Sequence, residues 1–133
     1  MLFRSYAYSL LKQYKGEWEF DTNWKMIFGH PKKAGWIKAI QEAQQTVQKG
    51  LKLDCPILVM SSNKSFPETE TWHEEYMTSD IVLDVQDIQK YGQKLGDKVT
   101  RDTIPNGIHD LILSQKPYRN DAYQTIFEWL KKQ

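Results

Sequence analysis

The chain's 133 residues suffice for one domain with a buried core. An apolar content of 40%, a net charge of +1 and scattered lysines are those of a globular chain and leave no basic footprint for nucleic acid. One cysteine, Cys55, excludes an internal disulfide, and no window approaches the ~18 apolar residues of a membrane-spanning helix.

Met1-Leu2-Phe3-Arg4 lacks the basic-then-apolar layout of a signal peptide, so the cytoplasm is the default compartment. Leu2, Phe3, Tyr6, Leu10, Leu11 and Tyr14 recur at helical spacing, which predicts an amphipathic helix over 2–14 that stops at Gly16. Residues 17–33 have no period and read as an irregular connection. Trp18, Trp24 and Trp36 crowd into the first 40 residues. Large aromatics mostly pack cores, but this density suggests an apolar surface made to meet something else. Trp36, Ile40, Ala43 and Val47 form the stripe of a second helix over 35–49, ended by Gly50.

The period then changes. Cys55 precedes the wholly apolar run Pro56-Ile57-Leu58-Val59-Met60 and is expected to be a buried, inert thiol. The run itself reads as a short strand covered on both faces. Residues 63–78 are polar and irregular, a long loop or insertion of the length that is usually functional or mobile. Val85, Ile88, Tyr91 and Leu95 predict a helix over 85–95, with Gly96 as its stop. Val99–Ile104 is a second strand, and a last amphipathic helix covers 119–131.

Strand, loop, helix, strand, loop, helix is an α/β order, and its crossover implies parallel strands. Ligands and reacting groups in such sheets gather beyond the carboxyl ends of the strands. Asp80 follows the first strand, and His109 follows the second within Asn106-Gly107-Ile108-His109-Asp110. An acid and a histidine so placed are two thirds of a hydrolytic triad. The histidine takes and returns a proton, while the carboxylate fixes its tautomer and stabilises the imidazolium. Gly107 would let the backbone turn sharply there. Asp84 and Asp87 are close enough to compete with Asp80 as the acid, although Asp84 also suits the N-cap of the following helix. No G-x-S-x-G-like nucleophile elbow occurs, and Ser61, Ser62 and Ser65 lie in no such pattern. His30 and His73 are expected to face solvent and, with Cys55, show no zinc-ligand spacing.

The runs Cys55-Pro56-Ile57-Leu58-Val59-Met60-Ser61-Ser62, Thr78-Ser79-Asp80-Ile81-Val82-Leu83-Asp84-Val85 and Ile104-Pro105-Asn106-Gly107-Ile108-His109-Asp110 resemble the C-terminal part of serine α/β-hydrolases. The nearest likeness is to lysophospholipase, monoacylglycerol-lipase-like and serine-aminopeptidase-type members. Gly16-Glu17-Trp18-Glu19-Phe20-Asp21 and Gly35-Trp36-Ile37-Lys38-Ala39-Ile40 resemble the end of the lid in bacterial members. The resemblance implies a helical lid or cap remnant over 1–52 and, over 53–133, the C-terminal portion of an α/β-hydrolase core with two parallel strands and flanking helices. It implies Asp80 as the triad acid and His109 as the general base, without a cofactor or metal.

The expected role is therefore a C-terminal segment of a hydrolase acting on carboxylic, lipid-like esters, whose nucleophile and oxyanion donors lie elsewhere. On its own such a segment is expected to be inactive. It is expected to self-associate, or to pair with a missing N-terminal half, because an apolar two-strand remnant leaves open edges. The alternative is a non-catalytic binding or interaction domain that keeps the fold remnant and uses its aromatic helix face. A third reading, with Cys55 as nucleophile, puts the thiol at the wrong end of the strand.

Overall fold

The apolar run after Pro56 forms strand β1 (Ile57–Ser62), two residues longer at its carboxyl end than expected, in the computed structural model of the chain. It pairs in parallel with β2 (Val99–Ile104), in register from Ile57↔Val99 to Ser62↔Ile104. The structure describes residues 4–29 and 31–133. Leu2, Phe3 and His30, which figure in the expectations above, lie outside them. Among the described residues the architecture is mixed α/β, with two parallel strands and four α-helices.

Parallel strands need a crossover, and α3 (Val85–Gly92), extended by a 3-10 turn at Gln93–Leu95, supplies it. Asp84 starts α3 as its N-cap, its Oδ1 accepting from the Gln86 amide at 2.9 Å. After β2, a 3-10 turn at Leu111–Leu113 leads into α4 (Lys116–Leu130). This helix begins at Lys116 rather than Arg119 because Pro117 sits in its first turn, where a missing amide hydrogen costs nothing. α4 meets β2 where the Trp129 indole donates to Thr100 Oγ1 at 3.2 Å.

The N-terminal helix is shorter than its apolar spacing predicts. α1 (Arg4–Leu10) stops because the chain reverses: the Lys12 amide donates to Trp18 O and the Trp18 amide returns to Leu10 O, each at 2.9 Å. Gly16 sits inside this reversal rather than at a helix end. A Cβ there would lie 2.0 Å from the Leu10 carbonyl. Tyr14, expected on the helix stripe, instead stacks on Tyr8 with centroids 4.0 Å apart. α2 (Ala34–Lys49) matches its predicted span and buries none of its residues.

The buried core does not lie between sheet and helices. Leu10, Leu11, Tyr76, Met77, Ile81, Ile104 and Ile108 gather around α1 and the carboxyl ends of the strands. Ile57 to Met60 are only half-buried, contrary to a strand covered on both faces, because α3 packs on β1 and β2 is its only strand neighbour among the described residues. Cys55 is exposed rather than buried, since it stands in the bend before β1 and outside the sheet.

Residues 63–78 form the long excursion expected, irregular apart from one 3-10 turn. Their ends are joined by a parallel bridge between Ser65 and Asp80, with the Phe66 amide donating to Asp80 O at 2.9 Å and the Asp80 amide to Lys64 O at 3.0 Å. A 3-10 turn at Glu74–Met77 drives Tyr76 into the interior, among the rings of Phe66, Trp72 and His73. His73 is therefore half-buried in an aromatic cluster, where it was expected to face solvent.

Candidate active site

The long segment between β1 and the acid poses a positional problem that the Ser65–Asp80 bridge solves. By tying Asp80 to the residues just beyond β1, it returns the acid to the strand end from which the chain departed. Asp80 is almost wholly buried, at 1% exposure. Its Oδ1 accepts from the amides of Val82 at 2.8 Å and Leu83 at 2.9 Å, which fixes the carboxylate plane. Its Oδ2 then faces His109 Nδ1 at 2.9 Å. Asp84 is spent as the α3 cap, so of the neighbouring acids it is Asp80 that meets the histidine.

His109 comes from the turn after β2. The left-handed residue of that turn is Asn106, at φ 59°, and not Gly107. Gly107 lies close to its neighbours: a Cβ there would lie 2.6 Å from Leu111 Cδ2, so that side chain would have to shift. The Ile108 amide donates to the buried Ser114 Oγ at 3.0 Å, and the Asn106 amide to Asn63 Oδ1 at 3.0 Å. These bonds, not the sheet itself, set the histidine's position.

Burial alone would raise the Asp80 carboxyl, but the His109 bond and the two amides outweigh it and hold it below the ordinary carboxylate value. The same bond to Asp80 raises His109 above the ordinary imidazole value, against an opposing effect of burial. An ionised carboxylate can only accept, so Nδ1 carries the proton and Nε2 of the neutral ring is the basic atom. That is the tautomer a general base needs.

A second cluster flanks the histidine and was not foreseen. The Tyr6 hydroxyl donates to Asp110 Oδ2, and Lys25 Nζ donates to the same oxygen at 2.8 Å. The Tyr6 ring meets the His109 ring edge-on, with centroids 6.0 Å apart. Burial, then the Asp110 bond, pushes the Tyr6 hydroxyl far above its usual value, so it remains a donor. Burial would raise Asp110, but Lys25 and Tyr6 together hold it below the carboxylate range. Sequence adjacency to His109 could have flagged Asp110; Tyr6 and Lys25 are 104 and 85 residues away from it and gave no local signal.

The hydroxyls of Ser61 and Ser65, near the strand end, are engaged elsewhere. Ser61 Oγ donates to Ser62 O at 2.9 Å and accepts from Gln89 Nε2 at 2.8 Å. Ser65 Oγ donates to Leu83 O and accepts from the Val85 amide, both at 2.9 Å. Ser79 Oγ is buried with no hydrogen-bond partner among the described residues. Cys55, preceding β1, stands at the opposite end of the strand from the acid–histidine pair.

A cavity of about 210 Å³ opens beside His109, walled by α1 and by residues 20–29. A second, more open concavity of about 470 Å³ also borders His109, lined by Met60, Asp110 and residues 111–113, whereas one of about 650 Å³ between Trp24 and Trp36 has neither Asp80 nor His109 on its wall. Among the described residues no helix is long and apolar enough to cross a membrane. In comparisons with protein families, characterised proteins and solved structures, nothing matches this chain.

Proposed function

We propose that this chain carries the acid–histidine pair of a serine hydrolase cleaving carboxylic esters, in the manner of the C-terminal part of an α/β-hydrolase. The serine and the oxyanion donors are supplied by polypeptide outside these residues. The observation that carries the reading is the Asp80 Oδ2 to His109 Nδ1 contact at 2.9 Å, with the other carboxylate oxygen held by two amides. Such an arrangement orients an imidazole for proton transfer and stabilises it when charged. The order strand, acid, helix, strand, histidine supports the same reading, as does the chain order of acid before histidine.

Exposed apolar surface supports a covering chain. Tyr123, Phe127 and Leu130 of α4 are exposed, with the first two rings stacked, and Ile57 to Met60 of β1 are apolar and half-buried. This surface fits the remainder of such a sheet or a second copy of the chain.

The test is complementation. On this reading, DNA upstream of the Met1 codon encodes a Gly-x-Ser-x-Gly segment. Co-expressing it with the chain yields hydrolysis of phenyl butyrate, which Asp80→Asn lowers by on the order of 10⁴-fold. His109-dependent hydrolysis by the 133 residues alone would contradict this division of labour. A second reading, a non-catalytic interaction domain, is favoured by the exposed Trp36, Ile37 and Ile40 on α2. It gives no reason for the Asp80–His109 geometry, and it gains only if the upstream DNA encodes no such segment.

A further inference from the structure

The cavity beside His109 has a composition that bears on the substrate. Ala7, Leu10, Phe20, Met26, Ile27 and Val82 give it a hydrocarbon wall. Tyr6 and Lys25 also border it, and each polar tip hydrogen-bonds Asp110. With Nδ1 of His109 taken by Asp80, Nε2 is the imidazole atom left to meet a ligand. The volume, about 210 Å³, falls below the roughly 300–1,000 Å³ of sites for drug-sized ligands. At roughly 30 Å³ for each water-sized group, it holds about seven of them, an oxygen and six carbons.

We propose that this cavity holds the leaving-group side of the ester, a short uncharged alkyl or small aryl alcohol whose oxygen lies at His109. The inference rests on the reading of His109 as the general base, and it narrows the leaving group from any alcohol to a small, uncharged one. As the serine oxygen bonds the carbonyl carbon, its proton passes to Nε2. When the bond from that carbon to the alcohol oxygen breaks, Nε2 returns the proton to this oxygen and a neutral alcohol leaves. The acyl side would lie with the serine and the oxyanion donors, which these residues do not provide. Lys25, the lysine on this wall, is paired with Asp110 at 2.8 Å, which leaves an anionic leaving group little net charge to meet.

Titrating the full chain with a series of 1-alkanols tests this, read by the ring signals of His109 and the methyl signal of Ala7. Saturable shifts are expected in both, with affinity rising about fourfold per methylene and levelling near hexanol. Alkanoates of equal chain length should bind more weakly at a pH where His109 is neutral, and Val82→Phe should remove alkanol binding while the amide spectrum stays dispersed. Absence of saturable shifts in the unmodified protein would overturn the cavity assignment and leave the acid–histidine pair standing. Tighter binding of alkanoates would reassign the cavity to the acyl side. Alkanol binding beside a His109 that titrates no higher than a free imidazole would defeat the general-base reading, and the leaving-group role with it.

Discussion

Asp80 shows how much a buried carboxylate depends on the backbone around it. Its Oδ1 serves the amides of Val82 and Leu83, so Asp80→Ala strands two donors as well as the imidazole. A loss of about 1–3 kcal/mol is expected in urea unfolding, the usual cost of leaving buried polar groups unsatisfied. The titration shifts fix the sign of the pH dependence. Asp80 is held below its ordinary 3.8, so its contribution is present above that value and is lost as pH falls through the lowered folded value. His109 is raised above 6.5, so its contribution is complete below 6.5 and is lost as pH rises through the raised folded value. Stability from the pair is therefore greatest between those limits. Urea midpoints should fall between about pH 5.5 and about pH 9, and by less in His109→Gln, whose side chain has no such titration. Both partners were legible in the sequence, because each follows a strand in an α/β order. The choice between Asp80 and Asp84 needed the Ser65–Asp80 bridge, a pairing that no local pattern announces. Tyr6, Lys25 and Asp110 were illegible as a group for the same reason.

At the scale of elements, the joint between the N-terminal segment and α4 is the least expected feature. The Glu17 carboxylate accepts from the Lys116 amide at 3.1 Å, at the amino end of α4, and lies 3.5 Å from Arg119 Nη2. Next to it, the Trp18 indole donates to Leu113 O at 2.8 Å while the Arg119 guanidinium lies over its ring at 4.7 Å. A carboxylate at a helix N-terminus serves as both acceptor and counter-charge. Glu17→Ala should cost about 0.5–1 kcal/mol in thermal or urea unfolding, less at high salt. α2 was readable because its stripe has the helical period and Gly50, at φ 100°, ends it. The apolar spacing of α1 continues past Leu10 although the helix does not, because the reversal is set by backbone bonds to Trp18. The strand at Val99–Ile104 was read correctly, whereas the burial of β1 was overestimated, since apolar composition does not reveal how many strands a sheet has.

The molecule as a whole packs its site more tightly than its sheet. The residues around the carboxyl ends of the strands are buried, while Phe127 at 57% exposed and Trp36 at 54% leave broad apolar faces on α4 and α2. Patches of this kind are seldom left bare in monomers. Sedimentation of the purified chain should show concentration-dependent association, and a dilute, monodisperse monomer would count against a covering partner. The α/β order was legible because strand and helix periods differ. The location of the core was not, because it depends on how the excursion over 63–78 folds back upon α1.

The proposed role of His109 rests on one contact, and a single titration reads it directly. The imidazole signals of His109 followed by NMR from acid to alkaline pH should give a midpoint above 6.5. In Asp80→Asn the midpoint should fall, as the charged partner is lost. A His109 that titrates at or below 6.5, unmoved by Asp80→Asn, would contradict the acid–histidine pair on which the hydrolase reading depends.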